Sequence, residues 1–220
     1  MNWIDLHTQS HNWLFVIFVI ILLLFAFIKR HYAYQTKEFL QLIFNDRYIV
    51  IYGKKEKVRL FFTMLFFLIQ WLTLSISVYI FFYIFGLSTD FFPLPIPFEF
   101  VIFFLILIFL LLKMLVQYLI IYIFDISNFG KMFFFNRLTY SNYASFLLFI
   151  LNMITIYGVS FNRYFFYISL IIFLYILVFG LFSFIKLYKK SIKPYLFYFI
   201  LYLCTFEIAP YIFIGYLIKY

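Results

Sequence analysis

Six apolar runs, each carrying at most one formal charge, divide this chain: Trp13 to Ile28, Leu60 to Phe85, Val101 to Phe124, Ala144 to Tyr157, Tyr164 to Phe184 and Tyr195 to Leu217. A helix needs about 20 residues to cross about 30 Å of hydrocarbon. The second and third runs are long enough to tilt, whereas the first and fourth are short. In lipid every backbone N–H and C=O must be satisfied within the segment, so runs of this length fold as helices. The expectation is an all-α polytopic integral membrane protein, one transmembrane domain over residues 1–220, with six transmembrane helices.

Composition supports this class, with 68% hydrophobic and 11% charged residues. Phe and Tyr are abundant in every run without clustering, which reads as composition rather than an aromatic ligand cavity. Cys204 stands alone, so there is no internal disulfide and no multi-cysteine metal site; it reads as a small packing residue.

The net charge of +9 raises nucleic acid as a partner, but in a membrane protein the first question is which side holds the basic residues. Residues 29–59 carry eight Lys or Arg, the connection from Phe124 to Tyr143 carries Lys131 and Arg137, and Ile185 to Pro194 carries Lys186, Lys189, Lys190 and Lys193. The alternate connections hold only Arg163 and, at the end, Lys219. Fourteen against two predicts that the basic connections are cytoplasmic and both termini periplasmic, in the inner membrane. Anionic lipid headgroups then explain the charge, at about 1 kcal/mol per basic residue near the surface, and nucleic acid is not required. No Lys or Arg precedes the first run, while Lys29, Arg30 and His31 follow it without a small-residue cleavage site, so it reads as a retained span and not a signal peptide.

In the first cytoplasmic connection, Phe39, Leu40, Ile43 and Phe44 gather on one helical face with Thr36 as N-cap, predicting an interfacial helix lying on the membrane. Arg47 to Gly53 reads as a short extended run. The second connection echoes the first: KMFFFNRLTY from Lys131 resembles KEFLQLIFNDRY from Lys37. On the other side FFPLPIPF, Phe91 to Phe98, reads as a stiff extended cap.

Candidate chemistry centres on Glu207, the one acid deep in an apolar run, about 18 Å along its helix. Pro210 cannot donate to the Phe206 carbonyl, so a kink there frees an acceptor beside the carboxyl group. This polar site reads either as an ion, proton or substrate site or as a structural contact between helices. Lys113, with Gln117 one turn further and Gln70 in the second run, lies at a depth compatible with pairing; snorkelling of Lys113 to the headgroups is the alternative. His7 and His11 have i, i+4 spacing, but with no further ligands they read, with Trp3 and Trp13, as interfacial anchors; neither metal nor cofactor is expected. There is no GxSxG, HExxH, P-loop or CxxC, and Asp46 and Asp125 are the remaining acids to consider at the surface.

The run Tyr198 to Pro210, YFILYLCTFEIAP, resembles the signature of a family of six-span inner-membrane proteins from Bacteroidota known as a domain of unknown function. Length, span pattern and the FNDRY run at Phe44 to Tyr48 agree with the resemblance, and the residues it carries across are Cys204, Thr205, Glu207 and Pro210. It implies a two-membrane bacterium with a secretion and gliding apparatus, and no reaction. Three functions follow in order: a non-enzymatic inner-membrane subunit of an envelope-biogenesis or protein-export (secretion and gliding) complex with other membrane subunits as partners; a small transporter or channel for protons, ions or lipid-linked solutes using Glu207; and a lipid-active enzyme at the cytoplasmic interface.

Overall fold

The computed structural model describes residues 12–45, 47–53, 56–86, 97–123, 127–158 and 162–192. Within them the chain is helical throughout: α1 (Asn12–His31), α2 (Ala33–Leu40), α3 (Arg47–Tyr52), α4 (Glu56–Phe85), α5 (Phe98–Ile123), α6 (Ser127–Met153) with a π-helical turn Ile154–Gly158, and α7 (Arg163–Ile192). Five of these are long and apolar enough to cross a membrane: Trp13–His31, Phe61–Phe85, Phe98–Leu119, Gly130–Gly158 and Arg163–Tyr188. The run Tyr195 to Leu217 lies outside the described residues.

The helices run alternately up and down. Tyr32 at the end of α1 meets Phe62 at the start of α4, Phe82 at the end of α4 meets Phe98 at the start of α5, and Phe133 early in α6 meets Phe184 late in α7. Lys29, Arg30, Lys37, Arg47, Lys131 and Lys186 are all exposed around one end, called here the basic end. Lys29, Arg30 and His31 occupy the last turn of α1, where cations complement the helix dipole. At the other end Arg163 lies over the Phe85 ring, 5.1 Å from its centroid.

Two sequence expectations are corrected here. The fourth span is not a short helix beginning at Ala144, because α6 starts at Ser127 and the apolar stretch runs from Gly130. Residues 127–143, expected as part of a connection, are helical, and Asn136, Arg137, Thr139 and Asn142 among them are buried; these polar side chains interrupt the apolar run but face other helices instead of water. Arg47 to Tyr52 is helical and not extended, despite its β-branched residues. Asn45 Oδ1 accepts the Arg47 N–H at 3.1 Å and starts the helix, and helical spacing then stacks Tyr48 on Tyr52 and lays Tyr48 against Phe39, Phe62 and Phe135.

A helix, α2, does form in this connection, but Thr36 is interior to it and its hydroxyl donates to the Tyr32 carbonyl at 2.9 Å. Of the expected apolar face only Phe39 is buried, in an aromatic cluster with Phe62, Phe66 and Tyr143. Leu40, Ile43 and Phe44 point outward, Phe44 with 90% of its surface free. The face turned to the protein instead includes Gln35, Thr36 and Glu38. Outward Leu40, Ile43 and Phe44 beside exposed Lys37 make a mixed apolar and basic surface, the composition expected of a segment that meets lipid headgroups.

The 30 residues of α4 and of α7 give helices about 45 Å long, well beyond the hydrocarbon thickness. The excess of α4 and α6 at the basic end is where α2 and α3 pack. Helix α4 closes at Gly86, whose φ of 58° is the left-handed ending that glycine permits. Helix α5 flanks the bundle and exposes most of its apolar surface. Helix α7 carries an outward stripe, Ile168, Ile171, Tyr175, Val178, Phe182 and Ile185, spaced alternately by three and four residues.

Candidate functional site

Two polar seams hold the middle of the bundle, and both are built from α6. Facing α7, Asn136 Nδ2 donates to the Gly180 carbonyl at 3.0 Å and Arg137 Nη1 to the Leu177 carbonyl at 3.3 Å. Both side chains are buried, Arg137 with 5% of its surface free. The absence of a side chain at Gly180 lets the fully buried Tyr140 ring lie directly on the α7 backbone. Small residues at such crossings are the usual means of close approach between helices in lipid.

Facing α4, which runs parallel to α6, there are two rungs. Gln70 Nε2 donates to Ser141 Oγ at 2.7 Å. Higher up, Asn152 Nδ2 donates to Ser77 Oγ at 2.7 Å and to the Thr73 carbonyl at 3.3 Å, and Ser77 Oγ donates to that same carbonyl at 3.0 Å. The surroundings of Asn152 call for N–H, which fixes its amide with the nitrogen towards α4 and leaves Oδ1 unspent. Gln70 Oε1, Thr73 Oγ1, Ser145 Oγ, Asn142 Oδ1 and Asn152 Oδ1 are all buried without a hydrogen-bond partner among the described residues. Each such atom costs about 1–3 kcal/mol if it stays unsatisfied.

The residues singled out in the sequence divide into three groups. Cys204, Thr205, Glu207 and Pro210 lie outside the described residues, as do His7, His11, Asp46 and Asp125. Lys113 and Gln117 lie on the α5 stripe that faces the bundle, Gln117 buried and Lys113 half-buried. Gln70 is buried in α4 with Ser141 as its partner. The α4–α5 register is set where Trp71 Nε1 donates to the Phe103 carbonyl at 2.8 Å. In that antiparallel register Gln70 is level with the residue after Phe103, and Lys113 sits about 13 Å nearer the basic end.

Sequence reasoning missed the α6 seam and Glu38. The polar cluster Asn136, Arg137, Thr139, Ser141, Asn142 and Ser145 was the available signal, since so many polar groups beside an apolar run imply helix contacts and not a solvated loop. Glu38 and Gln35 are buried beneath α2, and Gln35 Oε1 has no partner among the described residues. Burial, with Tyr34 and Glu38 nearby, pushes the Tyr52 phenol above its usual range. Among the described residues no three His, Cys, Asp or Glu side chains gather as metal ligands.

The chain matches the family model of a domain of unknown function, DUF4271, over residues 14–218, and it belongs to that family. No curated protein and no solved structure matches it.

Proposed function

We propose that this family member is a non-enzymatic integral subunit of a larger inner-membrane complex of envelope biogenesis or protein export, the secretion and gliding machinery of Bacteroidota being the favoured setting. The observation that carries the proposal is the outward stripe of α7. Alternating spacings of three and four residues are those of a helix that seats knobs into a neighbouring helix. Tyr175 lies within the stripe, 67% exposed, and about 18 Å from either end of its span. A phenol facing lipid at that depth has nothing to hydrogen-bond, whereas a partner helix supplies an acceptor.

The reading takes Tyr195 to Leu217 as a sixth span, the basic end as cytoplasmic and both termini as periplasmic. Six exposed basic side chains at that end, with outward Phe44 and Leu40 beside them, suit an anionic leaflet. Alkaline phosphatase fused after residue 90 is then active, and fused after residue 45 inactive.

The test of the subunit reading is a photo-crosslinking residue at position 175, compared with one at Leu112 on α5. A single stoichiometric membrane-protein adduct at 175, identified by mass spectrometry as an envelope-complex component, is the expected result. Recovery of a lone monomer with lipid adducts alone at both positions overturns it. The transporter reading keeps a foothold in the unspent oxygens between α4 and α6. If Glu207 serves transport, Glu207→Gln abolishes function at unchanged membrane levels; an active Glu207→Gln protein removes its proton or ion role.

A further inference from the structure

We propose that the run Tyr195 to Leu217 docks in a groove floored by α6 and walled by α5 and α7, with Glu207 as the counter-ion of Arg137. The proposal rests on the reading of that run as a sixth span.

The groove follows from where each side of α6 points. Asn136 and Tyr140 meet α7 at Gly180, and Ser141 and Asn152 meet α4. Phe135, Tyr143 and Phe149 meet α3, α2 and α1 through Tyr48, the Leu40 carbonyl and Phe18. At 3.6 residues per turn, the sector between the α7 and α4 sides holds Gly130, Arg137, Ala144 and Leu148, spaced by seven, seven and four. Helix α5 closes this sector only at the basic end, where Ile121 lies against Gly130. Its other end turns away to Trp71 on α4 and Trp13 on α1. The space between α5 and α7 therefore widens above Gly130, over Arg137, Ala144 and Leu148.

The sequence supplies an occupant on a short tether. Helix α7 ends at Ile192, and only Lys193 and Pro194 precede Tyr195, so a helix beginning there returns antiparallel beside α7. Pro194 suits the first turn of such a helix. Glu207 is then about 18 Å above the turn, the height of Gly180, which is as many residues below Ile192 as Glu207 is beyond Tyr195. At that height Asn136 meets the Gly180 carbonyl, and Arg137 follows it on α6. The reach of an Arg and a Glu side chain covers a mismatch of one turn, about 5 Å, which also absorbs the non-helical Tyr188.

Charge selects the pairing. Arg137 has 5% of its surface free and remains ionised, and its donation to the Leu177 carbonyl uses one of five N–H groups. A charge at that depth is held by an opposite one, and Glu207 is the acid whose height matches. Lys113 on α5 is half-buried, and its stem can carry the ammonium towards the headgroups.

The test is a cycle of Arg137→Gln, Glu207→Gln and the two combined, read as the thermal unfolding midpoint in detergent. Removing one member of a buried pair strands the other, whereas neutralising both does not. Each single variant should lower the midpoint by about 10 °C, and the combined variant no further than the worse single one. Where a single variant fails to accumulate, recovery of its membrane level on adding the second substitution gives the same result. Losses that add, or a level that stays lost, overturn the pair. So does the same cycle showing coupling of Glu207 to Lys113→Gln and not to Arg137→Gln. Alkaline phosphatase fused after Tyr220 separates the two premises. An inactive fusion overturns the sixth span and the proposal with it; an active fusion with additive losses overturns the ion pair alone.

Discussion

Replacing Gly180 with alanine tests whether the α6–α7 contact depends on close backbone approach. A Cβ at position 180 would lie 2.5 Å from Tyr140 Cγ, 2.7 Å from its Cβ and 2.8 Å from its Cδ2. Because Tyr140 Cβ is fixed to the α6 backbone, rotation of the ring does not relieve the clash. An ordinary contact requires the helices to part by about 1 Å, and overpacking of this kind costs about 1–3 kcal/mol. The same movement stretches the 3.0 Å bond from Asn136 to the Gly180 carbonyl, and a buried hydrogen bond contributes about 1 kcal/mol. Alanine returns about 1 kcal/mol through its higher helix propensity. The net is a destabilisation of about 2 kcal/mol, measured by equilibrium unfolding in mixed micelles of mild detergent and dodecyl sulfate. A Gly180→Ala protein as stable as the parent, or more so, would show that propensity outweighs packing there and would refute the close approach.

Asn152→Leu removes the upper α4–α6 rung, and interhelical hydrogen bonds in membranes average about 0.6 kcal/mol each, so a loss of about 1 kcal/mol is expected by the same unfolding assay. Tyr52 should titrate above its usual range when followed by phenolate absorbance, and Glu38→Gln should bring it partway back; no change on that substitution removes the carboxylate as a contributor. Because the folded state holds that proton more tightly than the unfolded chain, the associated stability is full below about pH 10 and declines as pH rises through the folded value. Changing Lys29, Arg30, Lys37 and Arg47 together to glutamine should strip anionic lipid from the protein in native mass spectra, since each contributes about 1 kcal/mol near a charged leaflet; retention of the same lipid adducts would place the binding elsewhere.

Among the described residues, which segments become helices was legible wherever an apolar run stood alone. Helices α1, α4 and α5 begin and end within four residues of the expected runs, because continuous apolar sequence in lipid leaves the backbone no other way to satisfy itself, whereas α7 begins as expected but continues past Phe184 to Ile192. Helix α6 was half legible. Its first turns carry Lys131, Asn136 and Arg137, and hydropathy treats a polar side chain alike whether it meets water or another helix. Helix α3 was misread because Ile49, Val50 and Ile51 favour a strand by local preference, while the Asn45 cap and the seat of Tyr48 between Phe39, Phe62 and Phe135 decide otherwise. Of the α4–α6 seam, Gln70 was visible as a polar residue deep in a span. Its partner was not, because pairing α4 with α6 depends on a parallel register that no local pattern encodes.

That register also explains why the polar groups concentrate where they do. Helices α4 and α6 are separated in sequence by α5, so no short turn brings them together, and in lipid hydrophobic burial does not distinguish one apolar neighbour from another. Hydrogen bonds do distinguish them: Gln70 with Ser141, and Asn152 with Thr73 and Ser77, are satisfied in one alignment and lost by a shift of one residue. Helices α6 and α7, joined by a short connection, need less specification and use Gly180 and two side-chain bonds to backbone carbonyls. The rungs alone would account for alignment with every oxygen spent. Thr73 and Ser145 contribute no hydrogen bond to it, yet both are completely buried at the same interface. Two hydroxyls there are unfavourable unless something other than the two helices hydrogen-bonds them, a role that buried water fills in folded proteins.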